Sequence, residues 1–268
     1  MIKTFVINLD KDKERMRFMD KQLTTLGIKY ERIPGVYGKT YTPTIQEYNI
    51  RLVKEKNLRL LPPGDLGCAL SHQQAYKKLL REELEYVLIL EDDVELPSNF
   101  KDIIEKVTKN NKNWEYLLFD YPVVGLKYLK IWYRSIKDNY KIKSRKSNVG
   151  LIFFILYSIF KALYIIPISI FEGIRNQLRE KYPGPVYFLR PMYFAGAYII
   201  TRSAAEKLVQ LNTPVMYASD QLPNQARVKS NLRFMCYSPR VVRQKREIFG
   251  SSILNTPPKM YKNYESRI

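Results

Sequence analysis

The first half of the chain alternates short apolar runs with longer segments whose apolar residues recur at helical spacing. Residues 4–9 and 86–90 have the composition of buried strands, and residues 12–26 have the spacing of an amphipathic helix. The same criteria predict strands at 28–33 and 116–119, and helices at 99–109 and from Ser71 to residue 84. This alternation is typical of a mainly parallel α/β sheet flanked by helices.

The alternation stops between residues 121 and 185 and resumes at Pro191. Within the interruption, residues 137–146 are basic and residues 149–171 are strongly apolar. Beyond it, the pattern predicts a helix at 203–211 and strands at 194–200, 232–237 and 240–242. Since there is no internal repeat and no low-complexity linker, we expect one domain over residues 1–268, with an apolar helical insertion at 137–185.

The charge balance narrows the classes of partner. There are 45 Lys and Arg against 26 Asp and Glu, and the net charge of +19 favours nucleic acid, an anionic membrane surface or phosphorylated substrates. No nucleic-acid-binding motif occurs, so we expect no nucleic-acid partner. The two cysteines form no disulfide framework and the N-terminal run lacks the features of a signal peptide, which together predict a cytoplasmic location.

The clearest chemical signal is the acidic triplet Glu91-Asp92-Asp93, directly after the predicted strand at 86–90. Ligands of open α/β sheets bind beyond the carboxyl ends of the strands, so the triplet lies where a site is expected. Three adjacent carboxylates repel one another unless water or a cation neutralises them. A solvated acidic turn and a Mg²⁺ or Mn²⁺ site for a diphosphate are both consistent with this pattern.

Several ordered motifs outside the interruption resemble glycosyltransferase family 25, the family of lipooligosaccharide galactosyltransferases and related enzymes. In chain order they are Ile7-Asn8-Leu9-Asp10 with Arg15, GDLGCALSH (64–72), ILEDD (89–93), GAYIITRSA (196–204), Ser219-Asp220 and Ser251-Ser252-Ile253. Each motif alone is weak, whereas the ordered set is specific and covers most of the chain outside the insertion.

The resemblance implies a GT-A-type nucleotide-sugar-binding fold, a nucleotide-sugar donor (typically UDP-galactose) and a divalent cation, Mn²⁺ or Mg²⁺. It places the cation at the acidic triplet, with Asp93 as a direct ligand and with Glu91 and Asp92 beside the donor. There the cation would neutralise the charge that develops on the leaving diphosphate. The resemblance also places Asn8 and Arg15 near the nucleotide. Their alternatives are a strand-end turn and a surface helix residue.

Three positions depart from the family pattern or leave it open. The loop at residues 35–38 lacks the acid that the family often has there. Many GT-A enzymes use a late histidine as a metal ligand, but the only histidine here is His72, so Gln244 becomes the candidate for that ligand. His72 itself either titrates in catalysis or lines the donor pocket as a hydrogen-bonded residue, and we expect the second.

Asp220 is the candidate catalytic base. Inverting transfer needs a group that takes the proton from the attacking hydroxyl, and Asp220 matches the late acid of the family. Its alternative role is to cap the helix from Gln221. We therefore expect a metal-dependent inverting hexosyltransferase that acts on a lipopolysaccharide or lipooligosaccharide acceptor. The alternatives are a capsule or protein glycosyltransferase of the same fold, and a non-catalytic basic protein that binds anionic lipid.

The apolar part of the insertion, residues 149–171, is nearly long enough to cross a bilayer. A single crossing, however, would put the acidic triplet and Asp220 on opposite sides of the membrane. Polar residues of the region fall on one helical stripe, so the helix is amphipathic. With its basic flanks, we expect it to lie on the anionic inner face of the cytoplasmic membrane, next to a lipid-anchored glycan acceptor. A hairpin buried in the fold or in a dimer is the alternative.

Overall fold

The computed structural model describes residues 2–109, 113–121, 182–188 and 190–250, together with scattered helical positions between 163 and 181. Its strands are β1 (Lys3–Asn8), β2 (Glu31–Pro34), β3 (Tyr86–Glu91), β4 (Val94–Glu95), β5 (Tyr116–Leu118), β6 (Gly184–Val186), β7 (Ala197–Thr201), β8 (Phe234–Ser238) and β9 (Arg243–Gln244). The helices with described bounds are α1 (Lys13–Thr25), α2 (Ile50–Glu55), α3 (Pro63–Arg81), α4 (Phe100–Lys109), α5 (Arg202–Leu211), α6 (Leu222–Lys229) and α7 (Arg246–Phe249).

One central sheet has the strand order β2-β1-β3-β7-β5-β8-β6, and β4 pairs with β9 beside it. β1 is parallel to β2 and β3, and β5 is parallel to β8. β7 is antiparallel to β3 and β5, and β6 is antiparallel to β8. β1, β2, β3, β5 and β8 therefore share one direction. The expected α/β class with a mainly parallel sheet flanked by helices is confirmed, and its arrangement fits the GT-A type.

Helices cover both faces of this sheet because its inner strands are apolar on both sides. Phe5 and Ile89 pack in one core cluster with residues of α3, α5 and α6. Val6 and Leu88 face the other way and pack with residues of α1 and α4. All four side chains are fully buried. Strands buried on both faces are continuous apolar runs, which explains why β1 and β3 were recognisable in the sequence.

The helix expected to begin at Ser71 begins earlier, at Pro63, so that expectation is wrong. Proline suits the first helical position because its φ is preset and its missing N–H would have no partner there. Ser71 lies inside α3, where its hydroxyl donates to the carbonyl of Gly67 and accepts from the backbone N–H of Val36. The longer helix carries the GDLGCALSH segment, whose Cys68 and His72 line a pocket at the carboxyl ends of β1 and β3.

Most of the predicted insertion at 137–185 lies outside the described residues, and so does the motif Ser251-Ser252-Ile253. In the part of the chain that the structure describes, no helix is both long enough and apolar enough to cross a membrane. The single-domain organisation over residues 1–268 and the surface-lying insertion stay predictions.

Candidate active site

A pocket opens at the carboxyl ends of β1 and β3, where a ligand is expected in an open α/β sheet. Cys68 and the loop at residues 35–39 form part of its wall. The fold also brings to this wall every residue proposed for donor or metal binding: Asn8, Arg15, His72, Glu91, Asp92, Asp93 and Gln244. These side chains come from β1, α1, α3, β9 and the end of β3, so the site exists only in the folded sheet.

Arg15 is the protein's own counter-charge to the acidic triplet. Its guanidinium donates to Asp92 at 3.1 Å and to Asp93 at 3.3 Å, and the three side chains are at most 10% exposed. Its other nitrogen donates to the backbone carbonyls of Phe249 and Gly250. Burial nevertheless raises the pKa of Asp92 to about 6, against the lowering by Arg15. Arg15 is thus no surface residue, and the triplet is no solvated turn.

Hydrogen bonds of Asn8 connect Asp92 with Arg32 of β2. Its side-chain N–H donates to Asp92 at 2.7 Å and to the carbonyl of Asp12 at 3.0 Å. Its side-chain oxygen accepts from Arg32 at 2.9 Å, and Arg32 also donates to the Asn8 carbonyl. Arg32 therefore fixes the amide orientation that Asp92 needs. Sequence reasoning missed Arg32 because only the register of β1 against β2 brings it beside Asn8.

The two carboxylate oxygens of Glu91 face different partners. Oε2 accepts from the side-chain N–H of Gln244 at 2.7 Å. Oε1 lies 3.1 Å from Nε2 of His72 and 3.7 Å from Sγ of Cys68. Nδ1 of His72 lies 2.6 Å from the hydroxyl of Tyr198. His72 is therefore buried and hydrogen-bonded, and its role in lining a donor pocket stays a prediction.

Asp120 is a buried acid beneath the pocket that the sequence did not single out. It follows β5 and accepts from the backbone N–H groups of Gly196 and Ala197, both at 2.9 Å. Burial, and then the charges of Glu91 and other acids, raise its pKa well above the usual range. A Cβ at residue 196 would collide with Asp120 and Gln244, so only glycine allows this close approach. In the sequence, Asp120 is only an isolated acid after a short apolar run.

Asp220 lies next to the pocket and not in its lining. The hydroxyl of its neighbour Ser219 is 3.1 Å from the thiol of Cys68. Burial chiefly raises the pKa of that thiol, with the charges of Glu91 and Asp220 adding to the effect, so Asp220 is within electrostatic reach of the pocket wall. The following helix starts at Leu222 with Gln221 in the N-cap position, so Asp220 is not its cap.

The sequence model of glycosyltransferase family 25 (LPS biosynthesis protein) matches residues 1–223. The chain belongs to glycosyltransferase family 25. The matched range carries every site residue discussed above except Gln244 and the carbonyls of Phe249 and Gly250 that Arg15 contacts. Family 25 membership thus confirms the resemblance that the ordered motifs indicated.

Curated relatives share the family with this chain at moderate identity. A glycosyltransferase 25 family member of Drosophila pseudoobscura pseudoobscura is 31% identical over 138 residues, which are 47% of this chain and 21% of that protein. Procollagen galactosyltransferase 2 of Mus musculus is 31% identical over 122 residues, 42% of this chain and 20% of that protein. A protein of Haemophilus influenzae described as a glycosyltransferase is 29% identical over 101 residues, 38% of this chain and 36% of that protein.

The family 25 chain therefore matches about a fifth of the length of the animal relatives and about a third of the Haemophilus protein. Among solved structures, it is similar to a glycosyltransferase involved in the glycosylation of the major capsid of PBCV-1. That likeness has a TM-score of 0.40 and 9% identity over 100% of this chain and 99% of the other.

Proposed function

We propose that this family 25 chain transfers a hexose from a nucleotide sugar to an acceptor hydroxyl, with inversion at the anomeric carbon. The observation that carries the proposal is the pocket in which Asn8, Arg15 and the acidic triplet meet, with Asp220 beside it. Family membership supports the same activity. A non-catalytic lipid-binding protein would have no use for three acids held in a buried network, since burying them costs free energy.

The pocket fits the divalent cation that the resemblance implies. The side-chain oxygen of Gln244 is buried and has no hydrogen-bond partner among the described residues. Burial raises the pKa of Asp92 and of Asp120, so a bound cation would stabilise the charged form of both carboxylates. Mg²⁺ and Mn²⁺ prefer such oxygen ligands. Asp93 and Gln244 would hold the cation, which would supply positive charge for the leaving diphosphate.

Arg15 and Asn8 act in this proposal as positioning residues. Their hydrogen bonds to Asp92, and that of Arg15 to Asp93, hold the two carboxylates at the floor of the pocket. His72 and Glu91 complete the wall beside the donor. These contacts fix the acids before any substrate binds, which is the pre-organisation that catalysis by charge stabilisation requires.

Asp220 is proposed as the general base. As the acceptor oxygen attacks the anomeric carbon, its proton passes to the Asp220 carboxylate and the bond from the anomeric carbon to the diphosphate oxygen breaks. The place of Asp220 beside Cys68 and Ser219, at the edge of the pocket wall, supports an approach of the acceptor from this side.

The donor is proposed to be UDP-galactose and the acceptor a lipopolysaccharide or lipooligosaccharide. The name of the mouse relative, procollagen galactosyltransferase 2, supports galactose. The description of the family as an LPS biosynthesis protein supports the lipid-anchored acceptor. A protein acceptor is the second candidate, because the same mouse relative is named for a protein substrate.

We propose that the chain meets its acceptor at an anionic membrane surface on the cytoplasmic side. The described helical positions Leu163, Ile170, Phe171, Ile174 and Leu178 are between 48% and 72% exposed. Phe171, Ile174 and Leu178 are spaced by three, four and seven residues, the spacing of one helical face. Arg179 and Lys181 follow this face in the chain. An exposed apolar stripe with nearby basic residues is typical of a helix that lies in the membrane interface.

Nucleotide release from a panel of nucleotide sugars, with purified protein and Mn²⁺, tests the activity. We expect release from UDP-galactose, and we expect lipooligosaccharide to stimulate it more than a collagen-like peptide does. Release from no nucleotide sugar would show that the pocket is not a transferase site. Preferential transfer to the peptide would replace the lipid acceptor by a protein.

A further inference from the structure

Two residues of types that bind metals, Cys68 and His72, lie at the Glu91 carboxylate oxygen that does not contact Gln244. Cys68, His72 and Glu91 each offer one ligand atom, and these atoms all lie within 4.8 Å of one another. The transfer reaction has no step that needs a thiol. The cluster therefore calls for an explanation of its own.

Helix α3 presents two of the three ligands on one face. Cys68 and His72 are four residues apart, which places their side chains one helical turn apart. Glu91 faces both: its Oε1 lies 3.1 Å from Nε2 of His72 and 3.7 Å from Sγ of Cys68. With bonds of about 2.0–2.3 Å, the ligands of a tetrahedral zinc ion lie roughly 3.3–3.6 Å apart. The two distances to Glu91 are close to this geometry, and the ligand atoms of Cys68 and His72 lie within 4.8 Å of each other.

The hydrogen bonds of His72 place its imidazole lone pair on Nε2, where it can bind a cation. The hydroxyl of Tyr198 donates its only proton to Tyr76, so it accepts from Nδ1–H of His72 at 2.6 Å. In the neutral imidazole the lone pair then lies on Nε2 and points at a carboxylate oxygen of Glu91. A cation placed between these two electron-rich atoms would be bound by both. The nearby sulfur of Cys68 favours the metal ion.

We propose that Cys68, His72 and Glu91 form a site for a soft divalent cation such as Zn²⁺, distinct from the oxygen-lined site at Asp93 and Gln244. Thiolate and imidazole ligands select Zn²⁺ over Mg²⁺ or Mn²⁺. Tyr198 orients the histidine as residues behind zinc ligands commonly do. On binding, Cys68 gives up its thiol proton to solvent. Three protein ligands facing a pocket leave the fourth position for water, so the bound ion is exchangeable.

Cobalt substitution tests this site directly, because Co²⁺ bound to a thiolate has a sulfur-to-metal charge-transfer band that oxygen-bound Co²⁺ lacks. The chain has one histidine and two cysteines, so the assignment is unambiguous once any affinity tag is removed. Metal-free protein with excess Mg²⁺ would receive one equivalent of Co²⁺. We expect the band in the unaltered chain, its loss in Cys68→Ser, and its retention in Cys236→Ser, the matched control in β8.

Absence of the band from the unaltered chain would overturn the proposal, and so would its persistence in Cys68→Ser. Tyr198→Phe provides a second measurement that keeps Cys68 intact. Removing the hydroxyl that orients His72 should weaken Zn²⁺ binding by about tenfold to a hundredfold, the usual effect of losing such a partner. Unchanged Zn²⁺ affinity in Tyr198→Phe would contradict the ligand role of His72. None of these readouts depends on glycosyl transfer, so the two proposals can fail separately.

Discussion

Asp93 is the residue on which the oxygen-lined metal site depends most directly. Replacing it with alanine removes one carboxylate, while Arg15 keeps Asp92 as its partner. We expect Asp93→Ala to lower transfer at least about a hundredfold, because a metal-bound diphosphate gains several kcal/mol of charge stabilisation. Nucleotide release measured against Mn²⁺ concentration checks this. Asp102→Ala, an exposed acid on α4, is the matched control and should retain activity. Full activity in excess chelator would contradict the metal assignment.

A variant of Asp220 distinguishes a defect in the chemical step from a defect in donor binding. Asp220→Asn keeps the size of the side chain but cannot take a proton, so we expect normal folding and normal donor affinity. Turnover should fall at least about a hundredfold, the usual scale for losing a general base. Donor titration and turnover on the same preparation make the comparison, with Asp102→Asn as the control. Near-normal turnover would mean that another group takes the proton.

The sequence could predict site residues that belong to ordered motifs, but not those that enter through tertiary contacts. Asn8, Arg15 and the acidic triplet lie at strand ends or near them, where periodicity and the family resemblance both point. Arg32 reaches Asn8 only through the β1–β2 register. Asp120 meets Gly196 through the pairing of β5 with β7, across 76 residues of sequence. No local pattern contains that information.

The pocket depends on close packing between α3 and the loop at residues 35–39. A Cβ on Gly67 would lie 2.5 Å from the carbonyl oxygen of Val36 and 2.6 Å from the backbone nitrogen of Gly38. Because backbone atoms cannot yield as a flexible side chain would, α3 would have to move. Its movement would carry Cys68 and His72 away from Glu91.

Gly67→Ala is therefore expected to lower the free energy of unfolding by about 1–3 kcal/mol, the usual cost of overpacking, and to weaken donor binding. Gly184→Ala is the matched control, since a Cβ there would meet only the Arg179 side chain, at 3.9 Å. Denaturant unfolding and donor titration measure both effects. Equal stability of the two variants would show that the loop can move without cost.

Hydrogen bonds of Glu115, the residue before β5, connect it with α5 and with the residue before β8. Its carboxylate accepts from Lys207 and Ser203 at α5 and from the backbone N–H of Arg233 before β8. Burial alone would raise its pKa, but the bond from Lys207, followed by those from Arg233 and Ser203, lowers the pKa from 4.5 to about 2. A lowered folded-state pKa contributes stability that is present above the unfolded-state value of 4.5 and is lost as the pH falls towards 2.

We expect Glu115→Gln to destabilise the fold by about 3 kcal/mol at pH 7, from the size of that pKa shift. The difference from the unaltered chain should shrink as the pH falls from 4.5 towards 2. Urea unfolding at pH 7, 5 and 3 checks both the size and the direction. Glu105→Gln, an exposed glutamate on α4, should stay within about 0.5 kcal/mol throughout. A pH-independent loss in Glu115→Gln would assign the effect to packing and not to charge.

Element types were more predictable than element starts and strand directions. β1 and β3 are continuous apolar runs, and α4 has a clear apolar stripe, so their patterns identify them. The start of α3 at Pro63 was missed because Ser71 and Gln74 imitate a capping box within the helix. The reversed direction of β7 depends on how the chain between β5 and β7 returns to the sheet, which periodicity does not encode.

At the scale of the whole molecule, a chain of net charge +19 holds a pocket lined by acids. The overall positive field favours the approach of anionic partners, including nucleotide sugars and anionic lipid headgroups. In the proposed function, the local acids then hold a cation beside the donor phosphates. In this proposal, the net positive charge of the chain attracts anionic partners at long range. The negative charge of the pocket acids binds a cation at short range.

The membrane proposal predicts that the protein sediments with vesicles containing anionic lipid and that salt weakens this binding only in part. Each well-placed Lys or Arg contributes about 1 kcal/mol of salt-sensitive attraction, whereas the apolar stripe contributes a part that salt does not screen. The double variant Ile174→Glu with Leu178→Glu should reduce sedimentation at high salt most strongly, because both side chains are exposed on that stripe. Val228→Glu is the matched control, since Val228 is 79% exposed but lies on α6. If the double variant and the control sediment equally, the stripe does not contact lipid, and the attraction is electrostatic alone.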